Sequence, residues 1–149
     1  MKTVSSEIEI AAPAATVWDV LTNMERYPEW NPFITEMNGT LQVGQRLEVR
    51  IQPPGGRAMT FRPTVRSFVP ERELAWLGHF VIPRLFDGEH RFSIQPLDED
   101  RVRFRQEEAF RGLLVPLTQS MLARTARGFE AMNGALKERA ESASPKPPR

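Results

Sequence analysis

Between Arg101 and Arg111 the chain reads R-V-R-F-R-Q-E-E-A-F-R, with polar and apolar positions in alternation. A period of two residues is that of a strand with one buried face. One face carries Arg101, Arg103, Arg105, Glu107 and Arg111, a solvated row. The other carries Val102, Phe104, Gln106, Glu108 and Phe110. This second face points into the protein, yet it holds an amide and a carboxyl group. Burying either without a partner costs roughly 2–7 kcal/mol. The pattern therefore predicts a cavity with a polar spot, not a uniformly oily core, and a cavity implies a ligand.

Similar alternation predicts strands over residues 3–10, 34–38, 46–52, 58–68, 73–80 and 89–96. Turn signals separate them, notably Asn38-Gly39, Pro53-Pro54-Gly55-Gly56 and Val69-Pro70-Glu71-Arg72. Pro63 lies inside one run and implies a bulge or an edge there. Pro13 opens a helix whose face is Val17, Val20, Leu21 and Met24. The proline-dense segment Tyr27 to Phe33 suits only a short helical turn. A last helix is predicted from Pro116 to about Ala140. Its apolar face begins with Leu114, Leu117 and Thr118, continues through Met121, Thr125 and Gly128, and ends with Phe129, Met132 and Leu136. A sheet with one apolar face needs a cover. Only the last helix is long enough, so the expected form is a curved antiparallel sheet wrapped around it.

At 149 residues the chain suits one compact domain. Residues 1–140 are expected to form it, with 141–149 (E-S-A-S-P-K-P-P-R) as a disordered tail. A net charge of +1 gives no basic excess for nucleic acid. The arginine row on the strand reads as a solvated face balanced by acids on neighbouring strands. The chain has no cysteine, which excludes disulfides, thiolate metal sites and a Cys nucleophile, and fits a reducing cytosol. The opening M-K-T-V-S-S-E-I-E-I has no apolar stretch of signal-peptide kind, and no run approaches membrane-spanning length. A cytoplasmic location without integral membrane contact is expected.

Three stretches carry a resemblance: I-E-I-A-A-P-A-A-T-V-W-D-V-L-T-N with Y-P-E-W-N-P-F, then W-L-G-H-F with F-D-G-E-H-R-F, then F-E-A-M-N-G-A-L-K. Together the chain resembles the START/Bet v 1-like (SRPBCC) superfamily, in its polyketide cyclase/dehydrase and lipid-transport-like branch, over roughly Thr3 to Ala140. The resemblance implies an α+β helix-grip fold: a curved antiparallel sheet around a long C-terminal helix, with two short helices after the first strand. It implies a cavity for a small hydrophobic molecule, no cofactor, and a monomer or weak homodimer. It also places Trp30 and Phe33 near the cavity's mouth or floor. Asp87 to Phe92 is similar to the loop that closes over the ligand in plant hormone receptors, which would make Arg84 and Phe86 lid residues and Pro53 to Gly56 an opposing gate. The Pro53 to Gly56 sequence departs from the receptor pattern.

His90, Gln106 and Glu108 lie on inward faces of strands joined by a short turn. They are the candidates to orient a ligand hydroxyl or carbonyl, with Glu108 and His90 as a possible acid/base pair. The alternatives are a polar pair satisfied within the protein, or a register shift of one residue that exposes them all. Aromatic residues Phe61, Trp76, Phe92, Phe104 and Phe110 are expected to wall the cavity. Met121, Thr125 and Phe129 would form its helical wall. His79 falls on the opposite strand face and reads as a surface histidine. Asp87, Glu89 and His90 alternate between faces and make a poor metal chelate, so no metal site is assigned. The chain has no nucleophile elbow, phosphate loop or dinucleotide fingerprint. The preferred function is non-catalytic binding or transport of a small lipid- or polyketide-like molecule. The alternatives are a cyclase or dehydratase using Glu108 and His90, and a protein-interaction module of the co-chaperone or toxin–antitoxin kind.

Overall fold

A computed structural model describes residues 1–79, 87–112 and 119–143. Strand β1 (Lys2–Ile10) leads into helix α1 (Ala14–Thr22), a single 3-10 turn (Met24–Arg26) and the short helix α2 (Tyr27–Trp30). Strands β2 (Ile34–Asn38), β3 (Glu48–Ile51), β4 (Met59–Phe61), β5 (Thr64–Val69), β6 (Glu73–His79), β7 (Asp87–Asp98) and β8 (Arg101–Arg111) follow. Helix α3 (Gln119–Ala143) closes the described chain. This is the α+β helix-grip arrangement, with an antiparallel sheet, a long C-terminal helix and short helices after the first strand.

The strands form two antiparallel sheets, ordered β1-β8-β7-β6-β5 and β2-β3-β4. Of the bulge or edge expected at Pro63, the edge is found, since β4 and β5 are edge strands of their sheets, but the expected single strand over 58–68 is corrected. The run splits at Arg62-Pro63 into β4, which pairs with β3, and β5, which pairs with β6. Pro63 has no N–H to continue a ladder. Its carbonyl instead accepts from the Leu47 N–H at 2.8 Å, and Val65 N–H donates to Gln45 O at 2.9 Å. The chain thus passes from the small sheet to the large one.

The turns obey their residues. Gly56 N–H donates to Pro53 O at 3.0 Å, with Gly55 at φ 73° in the position a type II turn reserves for glycine. Asn31 follows α2 and folds its side chain back. Its Oδ1 accepts from the N–H groups of Phe33 and Ile34 at 3.0 and 2.9 Å, turning Phe33 inward.

Helix α3 lies across the large sheet and against α1. Its buried face is Thr125, Gly128, Phe129, Met132, Asn133, Leu136 and Ala140. The helix runs on to Ala143, past the expected end at Ala140. The expected start at Pro116, with Leu114, Leu117 and Thr118, lies outside the described residues, as do tail residues 144–149. So do Phe80 and the proposed lid residues Arg84 and Phe86. Asp87 and Gly88, expected in that loop, belong to β7.

The alternation of β8 holds throughout. Val102, Phe104, Gln106, Glu108 and Phe110 are all buried. On the outer face Arg101 pairs with Glu9 and Asp98, each at 2.9 Å, and Arg105 pairs with Glu107 at 3.2 Å. Arg91 joins Glu73 and Glu89. Exposed pairs of this kind add about 0–1 kcal/mol each, so they mark the solvated face more than they hold it.

Candidate polar pocket at the seam of the two sheets

β7 and β8 pair so that His90 stands opposite Glu108, and Phe92 opposite Gln106. Both His90 and Glu108 face inward, 1% and 8% exposed. His90 Nδ1 and Glu108 Oε2 are 3.7 Å apart, too far for a direct hydrogen bond. The other ring nitrogen is engaged: His90 Nε2 donates to Gln106 Oε1 at 3.0 Å. Gln106 Nε2 donates to Asn133 Oδ1 at 2.7 Å, and Asn133 Nδ2 donates to Ser6 Oγ at 3.2 Å. Four side chains from β7, β8, α3 and β1 thus form one chain of hydrogen bonds, buried at His90, Gln106 and Asn133 and half-buried at Ser6.

Burial sets the charge of the pair. Removal from water pushes the Glu108 carboxyl up to about 8. Removal from water pulls His90 down to about 4, outweighing the Gln106 hydrogen bond, which raises it. At neutral pH both groups are therefore uncharged, and their 3.7 Å approach is not an ion pair. The imidazole is enclosed by rings. It stacks on Phe92 (centroids 4.3 Å, planes 21° apart), with Phe129 at 4.9 Å and Trp76 at 5.2 Å.

The pocket lies where the two sheets meet. Trp76, Gly78, Gly88, His90 and Glu108 form its wall on the large sheet. Val49, Ile51 and Phe61 form the wall on the small sheet, and Pro63 closes the link between them. The free space is about 20 Å³, room for about one water molecule. In this conformation, Phe92, Phe104 and Phe129, each fully buried, occupy the interior behind it.

The structure thus brings Phe61, Trp76, His90 and Glu108 together, with Phe92, Phe104 and Phe129 behind them. Gln106 is fully buried, with its oxygen and its nitrogen both engaged inside the protein. Phe33 packs edge-on against Phe129 at 5.8 Å. Phe110 and Met121 form a separate apolar cluster with Val4 and Leu122. Thr125 Oγ1 donates to Met121 O in its own helix. Trp30 packs on Tyr27 and lines a separate surface hollow with Asp19, Arg26 and Arg139. His79 is exposed, with Nδ1 2.6 Å from Asp87 Oδ1. Asn133 and Ser6 are members that sequence reasoning passed over. Their signal was present: Asn133 interrupts the apolar face four residues after Phe129, and Ser6 falls between Val4 and Ile8 on the inward face.

A family model described as polyketide cyclase / dehydrase and lipid transport matches residues 1–141. No curated protein matches the chain. Among solved structures, the chain is similar to the ZhuI aromatase/cyclase from Streptomyces sp. R1128, at TM-score 0.77 and 19% identity over 97% of this chain and 99% of that one. A START superfamily protein from Mycobacterium smegmatis is similar at TM-score 0.69 and 22% identity, over 91% and 97%. Norcoclaurine synthase from Thalictrum flavum, in complex with dopamine and hydroxybenzaldehyde, is similar at TM-score 0.72 and 15% identity, over 97% and 89%. At these identities the likeness is one of fold.

Proposed function

The chain belongs to the polyketide cyclase / dehydrase and lipid transport family, and from that premise we propose that it binds a small, mostly apolar molecule in the seam pocket without transforming it. The observation that carries this reading is a buried carboxyl 3.7 Å from a buried imidazole inside a ring-lined pocket. Apolar burial would supply affinity at roughly 25 cal/mol per Å². Glu108 and His90 would orient the ligand's polar group. His90, held near pKa 4, is a weak base, which favours holding a ligand over removing its proton.

Space for one water does not admit such a molecule, so a wall has to move. Phe61 suits this role. It is partly exposed and sits on a three-residue strand at the edge of the small sheet. Elements with few neighbours open at the lowest free-energy cost.

Native mass spectrometry of the protein purified from its own source, with a thermal-shift screen of lipids, fatty acids and aromatic polyketides, tests the proposal. A co-purifying molecule or an upward shift with one chemical class supports it. No bound species and no shift sink it. We also propose a cytoplasmic location and a monomer or weak homodimer.

One observation favours a second reading. A carboxylic acid near pKa 8 is still protonated at neutral pH and close to the range that suits a general acid. In a cyclase or dehydratase, Glu108 would protonate a ligand oxygen while His90 Nδ1 received a proton from carbon. Glu108→Gln would then abolish turnover and spare binding.

A further inference from the structure

We propose that Ser6, Asn133 and Gln106 hold His90 as its Nε2–H tautomer, so that a bare Nδ1 stands beside the Glu108 carboxyl and the pocket selects an uncharged group that both donates and accepts a hydrogen bond, such as a hydroxyl. The tautomer half of this inference stands on the hydrogen-bond chain together with the burial of His90, which disfavours the imidazolium. The ligand half rests on the binding reading above.

The polarity of the chain carries the argument. Gln106 Oε1 is a carbonyl oxygen and can only accept, so the His90 Nε2 facing it at 3.0 Å holds the proton. A neutral imidazole has one N–H, so Nδ1 is left with its lone pair. Gln106 is kept in this orientation by its Nε2, which donates to Asn133 Oδ1 at 2.7 Å. Asn133 is kept in turn by donating to Ser6 Oγ at 3.2 Å. Gln106 and Asn133 are 0% and 1% exposed, so water does not replace a lost partner. They are positioning residues: neither lines the pocket.

The consequence falls on the ligand. Nδ1 offers an acceptor and the Glu108 acid a donor, 3.7 Å apart. A hydroxyl satisfies both, giving its proton to Nδ1 and accepting from Glu108. An ether can only accept. A free carboxylate can also only accept, and among the described residues no lysine or arginine lines the pocket to meet its charge.

The test begins with the unliganded full chain labelled with ¹⁵N-histidine, by long-range ¹H–¹⁵N correlation at pH 7. The chain has only two histidines, so His79→Gln assigns the spectrum. The expected pattern is a protonated Nε2 and a bare Nδ1 on His90. A protonated Nδ1, or an imidazolium, overturns the proposal. Gln106→Met is expected to populate both tautomers. An unchanged tautomer in folded Gln106→Met refutes the positioning role. If that variant does not fold, Asn133→Leu and the wild-type spectrum decide the matter. Phenol, anisole and benzoate are then titrated into the wild type. Phenol is expected to bind at least about tenfold more tightly, a difference of about 1.4 kcal/mol. Equal affinities refute the selectivity. If none binds although the expected tautomer is present, the binding reading fails and the positioning role stands.

Discussion

Gly128 of α3 lies so close to Phe33 that a Cβ built on it would sit 2.3 Å from two carbons of the ring. Helix and aromatic ring meet because that position has no side chain. Gly128→Ala sets two effects against each other. Alanine gains about 1 kcal/mol of helix propensity. Overpacking a filled core costs about 1–3 kcal/mol, and this contact lies at the upper end. The variant should be less stable by about 1–2 kcal/mol in urea denaturation. Adding Phe33→Leu should recover part of the loss, and a double mutant no better than the single would rule out this clash as the cause.

Stability should fall as pH rises from 6.5 to 8. The Glu108 carboxyl is raised from 4.5 to about 8 on folding, so its contribution is complete below 4.5 and lost as pH approaches 8. His90 is lowered from 6.5 to about 4, so its contribution is complete above 6.5 and lost toward 4. Between 4.5 and 6.5 the two slopes cancel. Above 6.5 only Glu108 acts, and at 1.36 kcal/mol per unit the decline to pH 8 is about 2 kcal/mol. Glu108→Gln should remove this decline. Urea melts at the two pH values, wild type against variant, make the comparison.

Truncating Phe61 should ease ligand access. Phe61→Ala removes the wall that has to move, raising the fraction of binding-competent molecules and the apparent affinity with it. Stopped-flow association of neutral N-phenyl-1-naphthylamine should be several-fold faster in Phe61→Ala, and slower in Phe61→Trp. Identical rates in all three proteins would mean that another wall opens.

Asn31 should tolerate aspartate better than alanine. Its Oδ1 accepts two backbone N–H groups, while its Nδ2 is buried with no hydrogen-bond partner among the described residues. Asn31→Ala strands two donors at about 1–3 kcal/mol each at most. Asn31→Asp keeps both bonds and discards the unpaired donor, and a carboxylate receiving two N–H groups is well stabilised. Thermal midpoints should rank wild type and Asp above Ala; Ala equal to Asp would show that the two bonds contribute little.

The helix-grip form was legible because it rests on local rules. The β8 alternation placed Gln106 and Glu108 inside, and the spacing of Phe129, Met132 and Leu136 gave the helix face. Two things were not legible. Pro63 announces that a ladder stops, but a bulge, an edge and a change of sheet share that signal. What decided between them was Leu47 and Gln45 waiting across the gap, a nonlocal fact. Asn133 stood out as polar on an apolar face, but its meaning depends on which strand residue lies opposite. The degree to which Phe92, Phe104 and Phe129 fill the interior is likewise a matter of packing, which no residue pattern encodes.

Ionic strength should sort the two faces of β8 from one another. Outside, Arg101 and Glu9 pair directly but in full view of solvent, within reach of mobile ions whose screening length is about 8 Å at physiological salt. Inside, the Glu108 and His90 pair carries no net charge at neutral pH, so dissolved ions find nothing to shield. If the proposed pocket holds a neutral molecule, added salt would not weaken the polar contacts that orient it, while it would weaken the ion pairs of the outer face.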